Sequence, residues 1–208
     1  MSEHFIPSVF FTLFLVVDPL GLIPVFVMYL QGYSASFRRR IIIKATVIAF
    51  AVSVFFVVLG DYFLKFIGVS AASFLIAGGA LLFLIAIDML FARDDRTRRP
   101  AADAAPGVEE DVSVFPLAIP MISGPGTIAA LLMFSAQVRG DARGTLVIIA
   151  LAAAVLAITM AVMFLSAHLK RLIGETGISV IQRLMGLILS AMAVQFIVNG
   201  LKGIGIVR

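Results

Sequence analysis

Polar side chains are confined to short intervals along this chain, and the stretches between them are apolar over lengths that suit a membrane crossing. Such segments lie near residues 5–30, 41–64, 70–92, 112–136, 145–167 and 178–201. A bilayer core takes about 20 apolar residues per helix. A helix satisfies its backbone groups internally, whereas lipid offers no partner to an open strand edge. The pattern therefore predicts an all-α membrane protein with six transmembrane helices. The long polar interval, RDDRTRRPAADAAPGVEED at 93–111, has charges, Pro and Gly but no periodic apolar face. It reads as a cytoplasmic linker between a first three-helix unit, 1–92, and a second, 112–208.

Composition agrees. Of the 208 residues, 62% are hydrophobic and only 13% charged, too few to cover a water-soluble domain. Cysteine is absent, which excludes disulfides and thiolate metal sites. The two histidines, His4 and His168, lie near segment ends, and no His/Asp/Glu cluster has metal-ligand spacing. The net charge of +4 sits in short loops, as at a membrane surface rather than on a nucleic-acid-binding face. The start, Met1-Ser2-Glu3-His4, lacks the basic region of a signal peptide, so the first apolar segment is expected to be retained.

The basic residues also orient the chain. Arg38, Arg39, Arg40, Arg93, Arg96, Arg98, Arg99, Lys170 and Arg171 fall on one side. Lys65, Arg139, Arg143, Lys202 and Arg208 fall on the other. The richer side is read as cytoplasmic, which places both termini outside.

The two halves resemble each other. DPLGLI at 18–23 compares with SGPGTI at 123–128, Met28-Tyr29 with Met133-Phe134, and IAGGALL at 76–82 with LMGLILS at 184–190. Three spans per copy is an odd number, so the second copy enters from the opposite side. The expected architecture is a 3+3 inverted-topology repeat, common among secondary transporters.

LVVDPLGLIPVF, residues 15–26, places a carboxylate and two prolines inside an apolar span. Proline is costly inside a helix and harmless at its first position, and Asp is a good N-cap. Asp18 is therefore expected to cap a new half-helix starting at Pro19, with Leu20 and Gly21 in its first turn. Pro24 either bends that half-helix or lies within it. In ISGPGTIAALLMF, Gly124 is the expected cap and Pro125 the first helical residue, with Ser123 and Thr127 offering hydroxyls and Gly126 between them. Pro116 and Pro120 predict an irregular approach. The first and fourth helices are thus expected to be broken near the bilayer midplane. Irregular backbone there must be buried or line a polar cavity.

A half-helix N-terminus carries partial positive charge and unused N–H groups. Two of them make a candidate substrate site of Asp18, Pro19, Leu20, Gly21, Ser123, Gly124, Pro125, Gly126 and Thr127. The second cap suits a substrate carboxylate. Asp18 suits an ammonium, or the binding and release of a proton or Na⁺. The small flanking residues suit a small zwitterion such as glycine or alanine. A competing role for Asp18 is to satisfy its own cap alone.

Secondary candidates are Asp88, Arg183, Gln195 and Asn199. Asp88 reads as an interfacial acid at the cytoplasmic end of its span. Arg183 either snorkels to the interface or balances Asp18 or Asp88. Gln195 and Asn199, four apart on one helix face, suit interhelical hydrogen bonding. Gly78 and Gly79 suit close helix packing.

DPLGLIPVF, PLAIPMISGPGTIA and RLMGLILSAMAVQFIVNGL resemble the MarC family of bacterial inner-membrane proteins, over nearly the whole chain. The resemblance implies six spans and kinship with small neutral amino acid transporters and the LysE-like superfamily. The expected function is a secondary transporter of small neutral amino acids, working by alternating access across the inner membrane, with proton or sodium coupling. Its expected partners are a small-molecule substrate, the coupling ion and the lipid bilayer. No cofactor, metal or nucleic acid is expected. One alternative is an exporter of drugs or other small amphipathic compounds, which would need a larger aromatic cavity. Another is a membrane protein without transport. An intramembrane aspartyl protease needs two facing acids; Asp18 and Asp88 are placed at different depths, so no enzyme is expected.

Overall fold

The computed structural model describes residues 4–30, 32–91 and 111–206. The linker assigned to 93–111, with Arg93, Arg96, Arg98 and Arg99, lies outside the described residues except for Asp111. The elements are α1 (Phe5–Val17), α2 (Ile23–Leu30), α3 (Ala35–Phe66), α4 (Ala71–Leu90), an irregular coil Ser113–Ile122, α5 (Pro125–Gln137) and α6 (Ala142–Gly203). Among the described residues there is no β-strand.

Local signals set the helix starts. Ser34 accepts from the Phe37 N–H, Ser70 from the Ser73 N–H and Asp141 from the Arg143 N–H, each satisfying a donor that a helix start leaves over. In Ser113–Ile122, Phe115 and Ile119 are extended (φ/ψ −124°/128° and −133°/124°). Each precedes a proline, whose ring disfavours the helical conformation in the residue before it. The coil meets α5 at a bend of 55°.

Among the described residues three helices, α3, α4 and α6, are long and apolar enough to cross a membrane, and the bent pair of Ser113–Ile122 with α5 makes a fourth if the pair is one span. At 1.5 Å per residue the 62 residues of α6 would extend about 93 Å if straight, some three bilayer cores. They are not straight. Gly174 has φ 73° and ψ 169°, which breaks the helix where only glycine adopts such a conformation without strain.

A seam of small residues joins α4 to the second half of α6. A Cβ on Gly79 would stand 2.8 Å from the Ala193 carbonyl, one on Gly186 2.9 Å from that of Ala86, and one on Gly200 2.7 Å from that of Ala72. The two helices are therefore antiparallel, in backbone contact at positions seven residues apart. The same surface logic explains the exterior: Phe11, Phe66, Leu84 and Leu146 stand more than half exposed, as side chains facing hydrocarbon do.

Candidate functional site

The two predicted breaks lie side by side. α1 and α5 are antiparallel neighbours: the Phe5 and Phe134 rings meet edge to face at 6.1 Å near one end. At the other end Val16 packs on Gly126, where an added Cβ would come 3.0 Å from its Cγ1. The end of α1 therefore lies beside the start of α5. Gly124 is the N-cap of α5 and Pro125 occupies its first turn, as expected. The bond from the Ile128 N–H to the Gly124 carbonyl, 3.0 Å, begins the ladder. Intrahelical bonding thus leaves the Gly126 and Thr127 N–H groups unused.

The first break differs from its expected form. Asp18 ends α1 rather than opening α2. It sits in the left-handed region (φ 47°, ψ 59°), and its N–H closes the α1 ladder on Phe14. Residues 19–22 form a tight turn, and α2 begins at Ile23 rather than at Pro19. Pro24 then falls in the first turn of α2, where its missing N–H costs nothing. The carboxylate still acts as a cap: Oδ1 accepts from the Gly21 N–H at 3.1 Å. Its other oxygen, Oδ2, is buried and has no hydrogen-bond partner among the described residues. Asp18 as a whole is 3% exposed.

Close packing holds that carboxylate. A side chain on Gly21 would collide with both Asp18 and the Met89 Cε, so glycine is required there by the near approach of the acid. Gln182, a residue that sequence reasoning passed over, points its Nε2 at the Gly21 carbonyl from α6 at 3.4 Å.

The hydroxyls of the second break are turned inward. Ser123 donates to the Ala49 carbonyl of α3 at 3.0 Å, and Thr127 to the Ile122 carbonyl at 3.0 Å. Both are buried. Their protons are committed to backbone, which leaves the N–H groups of the first turn of α5 as the remaining donors at this break.

The secondary candidates separate. Arg183 is exposed, one position from the inward-facing Gln182, and balances neither acid inside the bundle. Asp88 is half-buried and precedes Met89, whose side chain packs on Gly21. The two carboxyl groups share no hydrogen bond, because Asp18 meets only the Gly21 N–H. Gln195 donates to Asn199 at 2.8 Å within α6, and Asn199 reaches the Met133 sulfur of α5 at 3.5 Å.

Gln195 and Asn199 also line a cavity of about 580 Å³. Its polar side continues along α1 through His4, Ser8 and Thr12, and Phe11, Phe134 and Phe196 supply apolar wall. It extends along α1 from His4 to Leu15, about 16 Å at helical rise, and ends one turn short of Asp18. A second cavity of about 330 Å³ lies toward the opposite end of this broken helix pair, beside Leu30, Arg38 and Lys170.

Outward-facing apolar helices, with polar groups gathered at two interior breaks, define an integral membrane protein. The chain belongs to the MarC family of integral membrane proteins, whose family model matches residues 3–205. It is 38% identical to the UPF0056 membrane protein YvbG of Bacillus subtilis, over 98% of this chain and 97% of that protein. It is 36% identical to the UPF0056 membrane protein MJ1677 of Methanocaldococcus jannaschii, over 97% of each chain. It is likewise 36% identical to the UPF0056 inner membrane protein YhgN of Escherichia coli, over 91% of this chain and 92% of that one. No solved structure matches it.

Proposed function

We propose that this protein is a secondary transporter of small neutral amino acids, working by alternating access between two inverted three-helix units. The observation that carries the reading is Asp18 Oδ2, a buried carboxylate oxygen without a partner among the described residues, at a break in an apolar helix. Burying such a group is costly unless a ligand meets it. Its neighbour is the start of α5, whose partial positive charge and unused N–H groups suit a substrate carboxylate. Asp18 then meets the substrate ammonium or carries the coupling proton or Na⁺.

Six crossings follow if α1 with α2 is one broken span and α6 divides at Gly174. The antiparallel α1–α5 and α4–α6 contacts are those an inverted repeat brings together. In this reading the 580 Å³ cavity is the vestibule on one face, separated from Asp18 by the last turn of α1. An inner-membrane setting is favoured by the Escherichia coli relative, which is named an inner membrane protein. No catalytic group or cofactor is assigned.

One observation favours the alternative, an exporter of small amphipathic compounds: the larger cavity holds three phenylalanines and exceeds what glycine or alanine requires. The test is uptake of labelled alanine and glycine into proteoliposomes, with and without a pH or Na⁺ gradient, for the native chain and Asp18→Asn. Gradient-driven flux that loses its gradient dependence in Asp18→Asn supports the amino acid reading. Absence of flux above protein-free vesicles under every gradient ends it.

A further inference from the structure

We propose that the smaller cavity, at the end of the bundle that carries the arginine cluster, is a binding site for an anionic phosphate group, filled by a phospholipid headgroup. Three observations carry it, none of which involves Asp18 or transport.

The first is charge. Arg38 of α3 and Lys170 of α6 line one cavity of about 330 Å³ from two different helices. Both side chains are half-buried, whereas their neighbours Arg39, Arg40 and Arg171 are exposed. Among the described residues the acid in contact with Lys170 is Glu175, at 3.9 Å, with a side chain 90% exposed. A contact so long and so wet leaves most of the ammonium's charge uncompensated.

The second is the composition of the wall. Beside the two cations stands Tyr33, and the remainder includes Leu30, Met163 and Phe164. A free inorganic anion has no use for the apolar part. A phospholipid satisfies both parts at once, with its phosphodiester between guanidinium and ammonium and the start of its acyl chains on the apolar wall.

The third is position. Leu30 ends α2, Arg38 lies in the first turns of α3, and Lys170 lies just before the break at Gly174. These are helix ends, where a membrane surface falls. They also carry the run Arg38–Arg40 and the pair Lys170–Arg171. Juxtamembrane Lys and Arg clusters draw anionic lipid, and basic pockets between helices hold individual headgroups. The bound phosphate would tie the α2–α3 corner to the α6 break.

The test is native mass spectrometry of the full chain released from detergent micelles holding equimolar phosphatidylglycerol and phosphatidylcholine. The native chain is expected to retain one phosphatidylglycerol in preference to phosphatidylcholine. Arg38→Gln/Lys170→Gln is expected to weaken that retention about tenfold or more. Arg39→Gln/Arg171→Gln removes the same charge outside the cavity and is expected to change it little. An unchanged helical circular dichroism spectrum certifies the fold of both variants. A titration with inorganic phosphate separates the sources of the group. Retention that survives phosphate assigns the site to the lipid, and displacement by phosphate at low concentration leaves the phosphate site standing and removes the lipid. Equal retention of the two lipids with no response to phosphate, or equal losses in the two double variants, overturns the proposal.

Discussion

Gln182 and Gly21, 161 residues apart in the chain, meet through a side-chain amide and a backbone carbonyl at 3.4 Å. The last helix thereby reaches into the first break, at the turn whose N–H holds Asp18. Both sides of that short peptide turn are occupied, by the acid on the amide and by Gln182 on the neighbouring carbonyl.

Gln182→Leu should leave the Gly21 carbonyl unpaired at nearly constant volume. A lost neutral hydrogen bond of this length costs about 1 kcal/mol. The unfolding midpoint of the reconstituted chain in a denaturing-detergent titration should fall accordingly. An unchanged midpoint would show that the contact carries no energy.

Gly21→Ala should do more harm. The added methyl collides with the Asp18 carboxylate and the Met89 Cε, and overpacking of a tight core costs about 1–3 kcal/mol. If Asp18 acts in transport, flux should fall as steeply as in Asp18→Asn. A variant with native stability and native flux would mean that the turn has room the structure denies it.

Gly79→Leu and Gly186→Leu should disrupt the α4–α6 seam, since each drives a side chain into the opposite backbone. Ala80→Leu, one position around and exposed, should be close to neutral in the same melting assay. Equal sensitivity at Gly79 and Ala80 would dissolve the seam as a structural unit.

Thr12→Phe should fill the larger cavity from its half-buried wall. Stability should hold or rise, while solute flux should drop if the cavity is the vestibule. Undiminished flux would make it a lipid-filled groove.

Asp111 should titrate low. Its hydrogen bond from the Lys44 ammonium, aided by Ser113, holds its carboxyl at about 2 rather than the ordinary 3.8. A depressed carboxyl stabilises the folded chain above its unfolded value, and that contribution is lost as pH falls through about 2. Lys44→Ala should move the midpoint upward, read from the carboxyl carbon shift. Both side chains are 46% exposed, so high salt should weaken the difference.

The apolar segments and both breaks were legible in the sequence because each rests on local chemistry. Pro125 at a helix start, and the extended residues before Pro116 and Pro120, follow from ring geometry alone. The role of Asp18 was legible only in part. An acid before a proline reads as an N-cap, and the carboxylate does take up a turn N–H. Yet its backbone closes α1 in the left-handed region, which Asp tolerates better than most residues, and this delays α2 to Ile23. Gln182 was not legible. Periodicity gives the face of a helix, but whether Gln182 or Arg183 points inward depends on the roll of α6, which the packing of α4 sets. The seam was half visible: Gly78 and Gly79 signalled close approach, but Gly78 turns to Ala129 and Pro125 of α5, and only Gly79 meets α6, at Ala193, more than 100 residues away.

The α4–α6 seam has a mechanical consequence. Where backbone touches backbone there are no rotamers to exchange, so the contact has one geometry and no second notch to slip into. Ala72, Gly79 and Ala86 against Gly200, Ala193 and Gly186 make a fixed axle through the bundle. Any change of shape must then be taken up by parts that have joints: the turn at Asp18, the bend before Pro125 and the break at Gly174.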